Sequence, residues 1–142
     1  MLPYSLMTLR YNLLEYGVFR VQLSILPHDV QVAMSNEILK LELDPFDKKY
    51  CKQLEWDLDG IWRIHVGKIN NILYCVAYVV CQDCQNRDFQ KKFNCFDCHK
   101  RHWYDIKLLS CGRRDEFYED LSKNWVTWMQ TVEWKNLSYE QE

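Results

Sequence analysis

The sequence predicts an α+β domain built on a mainly antiparallel sheet, and three observations carry that expectation. IWRIHVG (61–67) alternates apolar and polar residues, and ILYCVAYVV (72–80) is apolar on both faces; only the polar KINN separates them. Val30, Met34, Ile38 and Leu41 recur at helical spacing. The elements run strand, helix, three strands, helix, which is not the repeating strand–helix alternation of a parallel sheet.

Each element has its own warrant. Residues 1–16 are an apolar lead-in with a possible helix. VFRVQLSIL (18–26) alternates and is expected to be a strand, ended by Pro27. The helix that starts at His28 is stopped by Asp44-Pro45, because the residue before proline is pushed out of helical geometry. Residues 46–60 are charged and loop-like, with Leu54, Trp56 and Leu58 alternating. The strands 61–67 and 72–80 follow, the second expected at the centre of the sheet. WYDIKLLSC (103–111) is the next strand, and after Gly112 the segment RRDEFYEDLSKNW turns helical. Trp125, Trp128, Met129 and Val132 share one helical face and are expected to pack on the body.

The chain has 142 residues, 48% hydrophobic and 27% charged, which suits one domain, 1–142, with a real core. No run approaches the roughly 18 apolar residues of a membrane span. The first residues carry Arg10 and Glu15 without a small-residue cleavage pattern, which speaks against a signal peptide, so a cytoplasmic location is expected. The net charge of −2 is unevenly spread. Residues 115–142 hold two basic against seven acidic residues, and the remainder 16 basic against 13 acidic. A mildly basic body therefore precedes an acidic, Trp-rich helical extension (122–142), and any nucleic-acid footprint is modest.

The most specific motif is CQDCQNRDFQKKFNCFDCHKRH (81–102). Its spacing, Cys81-x2-Cys84-x10-Cys95-x2-Cys98, suits two tight knuckles that place four thiolates at tetrahedral corners. That donor set fits a structural Zn²⁺ with a closed shell and no open position for water. Arg87, Lys91, Lys92, Lys100 and Arg101 would offset the negative charge of such a site. His99 and His102 are possible substitute ligands; a redox dithiol and an iron–sulfur cluster remain alternatives. Cys51, Cys75 and Cys111 stand singly and are expected to pack as small apolar residues.

With 81–102 set aside as an insertion between the last two strands, the frame resembles a known family. The residues that carry the resemblance are "LELDPF" leading to "KQL…GIWRIHVG", the core strand "YCVAYVV", and "LLSCGRRDEFY" as a closing strand and helix. Together, over 18–80 and 103–121, they resemble the RelE/ParE/HigB superfamily of type II toxin–antitoxin toxins. The resemblance implies a small curved sheet with helices packed on one side. It also implies a ribosome-dependent mRNA endonuclease that activates a 2′-hydroxyl against the adjacent phosphate, neutralised by an antitoxin protein wrapped on the sheet. No small-molecule cofactor is expected.

Carried over residue by residue, the resemblance implies Arg63, Arg113 and Arg114 as phosphate ligands and Tyr118 as a stacking or proton-moving group. The family's strand arginine is replaced by Cys75 and its histidine by Arg113; His65, on the neighbouring strand, is the candidate to stand in as a base. Lys48, Lys49 and Lys52, with Lys91, Lys92 and Arg101 of the insertion, are candidate contacts to the RNA backbone. Two other functions fit the same frame: a catalytically inactive protein-interaction module, and a ParE-like inhibitor of DNA gyrase.

Overall fold

The structure, a computed structural model, describes residues 10–15, 17–89, 103–130 and 135–137. The chain runs β1 (Asn12–Glu15), α1 (Gly17–Ser24), α2 (His28–Leu41), β2 (Cys51–Gln53), one 3-10 turn (Trp56–Leu58), β3 (Trp62–Ile69) and β4 (Ile72–Val80). It continues with α3 (Cys81–Asn86), β5 (Asp105–Arg113), α4 (Arg114–Met129) and β6 (Lys135–Asn136). The six strands form one mixed sheet in the order β2-β3-β4-β5-β1-β6. Among the described strands only the β1–β5 pair is parallel, so the sheet is mainly antiparallel, within an α+β domain.

Strand β4 sits in the middle, as its two-sided apolar sequence requires. Its side chains alternate between two cores. Tyr74, Val76, Tyr78 and Val80 join Phe19 and Leu23 of α1 and Val30, Met34, Ile38 and Leu41 of α2. Cys75, Ala77 and Val79 join Phe117, Leu121, Trp125, Trp128 and Met129 of α4. Helices therefore cover both faces of the sheet, which corrects the expectation of helices on one side. The reason is α4: burying each of its large apolar side chains contributes about 1.5–3 kcal/mol, and only the second face offers that burial.

Four further expectations change. Residues 18–26 are mostly helix α1, not a strand, because Phe19 and Leu23, four residues apart, are the buried pair while Val21 is 61% exposed. The lead-in contributes strand β1, whose Leu13 and Leu14 point into opposite cores. The charged loop 46–60 contains β2. The Trp-bearing stretch from 122 onward is not a separate extension up to Met129. It continues α4, and Trp125, Trp128 and Met129 are core residues; Val132 lies outside the described residues.

Two local devices shape the sheet. The β3–β4 hairpin turns on Asn70 (φ 51°) and Asn71 (φ 68°), a two-residue turn with both residues left-handed, which asparagine tolerates. A bulge between His65 and Gly67 inserts Val66 into β3, with Gly67 at φ 102°. Among the described residues no helix is long and apolar enough to cross a membrane.

Candidate functional site

Helix α4 packs on β4 and β5. Its middle is tied to the 3-10 turn, where Ser122 Oγ donates to Asp57 Oδ2 at 2.8 Å and Trp125 Nε1 donates to the Asp57 carbonyl at 3.2 Å. The β2–β3 side of the same face carries cations. Register fixes which residues share it. Arg63 lies opposite Ala77 and His65 opposite Cys75, both of the α4-side core, and Lys52 lies opposite Arg63. The Val66 bulge then brings Lys68, opposite Leu73, back onto that face. An unbroken strand would place Gly67 there instead, because strand side chains alternate.

The floor is set by small residues. His65 is flanked across the sheet by Cys75 and then Gly112. Cys75 is fully buried, and burial pushes its thiol up to about 11 despite Arg63 and Arg114 pulling it down. It is a packed apolar group, not a thiolate nucleophile. Cys51 and Cys111 are buried in the same manner, as expected.

Arg63 Nη1 donates to the Tyr118 hydroxyl at 2.6 Å. Tyr118 rests against Phe117, ring centroids 4.6 Å apart, which fixes its ring one helical turn beyond Arg114. The hydroxyl oxygen accepts from Arg63, so its own proton is directed elsewhere. Arg114 opens α4 and is exposed. His65 is partly buried, and its Nε2 is enclosed without a hydrogen-bond partner. Burial lowers its pKa below the ordinary 6.5, and Arg63, Arg114 and Lys52 lower it further. It is therefore a neutral imidazole at pH 7, surrounded by fixed positive charge.

The structure thus gathers five of the predicted residues, Lys52, Arg63, His65, Arg114 and Tyr118. Arg113 borders the same region but is occupied: it contacts Asp115 at 3.3 Å and Glu116 at 3.9 Å, and those carboxylates raise its pKa. Lys48 and Lys49 are exposed on a turn whose Phe46 packs into the opposite core, so they are not gathered with Arg63. Lys91, Lys92 and Arg101 lie outside the described residues.

Sequence reasoning missed the neighbouring cavity. It has a volume of about 530 Å³ and is lined by Lys68, Asn71, Ile72, Leu73, Arg113, Arg114, Asp115 and Tyr118. The available signal was the glycine after His65-Val66, which marks the bulge that turns Lys68 inward.

Two of the four predicted zinc ligands are described. Cys81 and Cys84 form the first turn of α3, three residues apart on one helical face, and both are buried. The first Cys-x-x-Cys pair is thus helical. Asp83 between them accepts from Trp62 Nε1 at 3.1 Å and from Arg87, which also reaches Asp59 at 3.1 Å. Cys95 and Cys98 lie outside the described residues, and among the described residues no group of three or more possible ligands comes together. The Cys81–Cys84 pair suits half of a four-thiolate site. Compared with known proteins, the chain matches no family model, no curated protein and no solved structure.

Proposed function

We propose that the protein is a toxin-like RNA endonuclease of the RelE kind, acting on ribosome-bound mRNA and held in check by an antitoxin protein. The observation that carries the reading is the neutral His65, its Nε2 without a partner, beside Arg63, Arg114 and Tyr118 on one face of the sheet. Those four supply what 2′-hydroxyl attack on phosphate requires. His65 takes the 2′-hydroxyl proton, because its free imidazole stays unprotonated near neutral pH. The 2′-oxygen bonds to phosphorus while the bond to the 5′-oxygen breaks, which leaves a 2′,3′-cyclic phosphate and a 5′-hydroxyl. Arg63 and Arg114 neutralise the charge that develops on the phosphoryl oxygens. Tyr118, polarised by Arg63, hands a proton to the departing 5′-oxygen.

The partners follow from the same reading. An antitoxin would silence the site by covering the cations on the β2–β3 side, since α1 and α2 pack on one face and α4 on the other. A structural Zn²⁺ held by Cys81, Cys84, Cys95 and Cys98 would order the insertion.

A non-catalytic binding module is the second reading, favoured by two observations. Arg113 is taken by acidic neighbours, and Trp56 is 88% exposed at φ 62°, a strained position for an aromatic residue. The experiment that separates the two is induction of the chain alone in a bacterium. Growth arrest with transcripts cut inside translated codons, abolished by His65→Ala or Arg114→Ala, supports the endonuclease. Unimpaired growth, with wild type and Arg114→Ala alike, overturns it.

A further inference from the structure

We propose that the 530 Å³ cavity beside the His65–Arg63 cluster is a nucleotide subsite, which seats the nucleoside phosphate unit next to the cleaved linkage. The inference rests on the endonuclease reading for its place in the reaction, but the cavity argues for a nucleotide by its own lining. A nucleotide presents a flat, largely apolar base and an anionic phosphate. The cavity offers a matching division. Ile72, Leu73 and the Tyr118 ring form an apolar and aromatic wall, and Lys68 and Arg114 supply positive charge, Arg113 being held by Asp115 and Glu116. Its volume lies within the roughly 300–1,000 Å³ of small-molecule sites.

The phosphate end has a second attraction. Helix α4 begins at the cavity, and its N-cap residue, Arg113, makes no side-chain capping bond. The first backbone N–H groups of α4 and its positive dipole end therefore add to the side-chain cations. Asn71 stands in the same lining and supplies an amide, a group that reads the polar edge of a base.

Placement fits a bound strand. Tyr118 and Arg114 belong to both the cavity and the proposed reaction centre, so the two adjoin. From His65 to Lys68 the strand advances roughly 7–10 Å, about one nucleotide step of an extended single strand. The Val66 bulge is what aligns Lys68 with His65 on one face. Extended RNA would run along β3, its reacting phosphate over His65 and the neighbouring nucleotide in the cavity.

The test is titration of the full-length, isotope-labelled protein with adenosine 5′-monophosphate, followed by NMR. The expected result is saturable shifts at Asn71, Ile72 and Leu73, with affinity falling roughly tenfold in Lys68→Glu, the loss of one charge-assisted contact. Lys68 is exposed, so this substitution leaves the fold intact, as a thermal melt verifies. Absence of shifts, or equal shifts with inorganic phosphate alone, overturns the subsite. If the nucleotide binds here while RNA is left uncut, the subsite stands and the endonuclease reading falls. If RNA is cut and the nucleotide binds elsewhere, the reverse holds.

Discussion

Arg63 and Tyr118, 55 residues apart in sequence, meet in a 2.6 Å hydrogen bond that joins strand β3 to helix α4. The bond links the edge side of the sheet to the helix that covers its centre. It also holds the Arg63 guanidinium on the face of β3 that carries His65. If it positions the site, Arg63→Ala and Tyr118→Phe should each lower RNA cleavage on the order of 100-fold, a typical contribution of a positioned proton-transfer group. Their combination should cost little more, since groups that act as a unit are non-additive. A urea double-mutant cycle should find a coupling of about 1 kcal/mol. Strict additivity in both measurements would count against a shared role.

His65 makes activity and stability depend on pH in a defined direction. Its folded pKa lies below the ordinary 6.5. Between the two values the unfolded chain binds more protons than the native one. Native stability therefore holds above pH 6.5 and declines as pH falls through that value towards the folded pKa. His65→Gln should remove this component from urea midpoints measured across the range. The acid limb of kcat/KM should lie below pH 6.5 and move upward in Lys52→Gln, which removes one of the charges that lower the pKa. A limb at or above 6.5 in the wild type would refute His65 as the base.

Helix α1 makes a stability prediction opposite to that of a strand over 18–26. Phe19 is fully buried and Val21 is mostly exposed. Phe19→Ala should cost about 3–5 kcal/mol in denaturant unfolding. Val21→Ala should stay within about 0.5 kcal/mol, as surface substitutions do. Similar losses at both positions would contradict the helix.

The thiols of α3 give a composition test. Elemental analysis should find about one zinc per chain for a four-thiolate site, and Cys84→Ser should release it. Asp83 is shared by Trp62 and Arg87, so metal loss should also raise hydrogen exchange around residues 59–63. A zinc-free wild-type protein with an unchanged melting temperature would defeat the assignment.

Much of the frame was legible because its signals are local. The alternation of 61–67, the two-sided apolar run of 72–80 and the helical spacing of Val30, Met34, Ile38 and Leu41 each sit in one window of sequence. What was misread depends on distant partners. In VFRVQLSIL the alternation of Val and Leu with polar residues competed with the Phe19–Leu23 pair, and the sheet surface opposite decided it. Strand β1 offers only four residues and is defined by β5 and β6 on either side of it. The site was legible as residue types, Arg63, His65, Arg114 and Tyr118, and not as a shape. The cavity depends on the Val66 bulge, which shifts every later side chain of β3 to the other face.

Strand β1 also has a temporal consequence. It lies between β5 and β6, and Asn12 reaches Asp105 across 93 residues. A nascent chain can fold α1, α2 and the β3–β4 hairpin early. It cannot close the sheet until the sequence beyond residue 105 has been synthesised and released from the exit tunnel. Helix α4, which supplies Arg114 and Tyr118, is made later still. A product truncated or stalled before Met129 therefore lacks a finished site, and assembly of the Arg63–Tyr118 pair waits until α4 has been made.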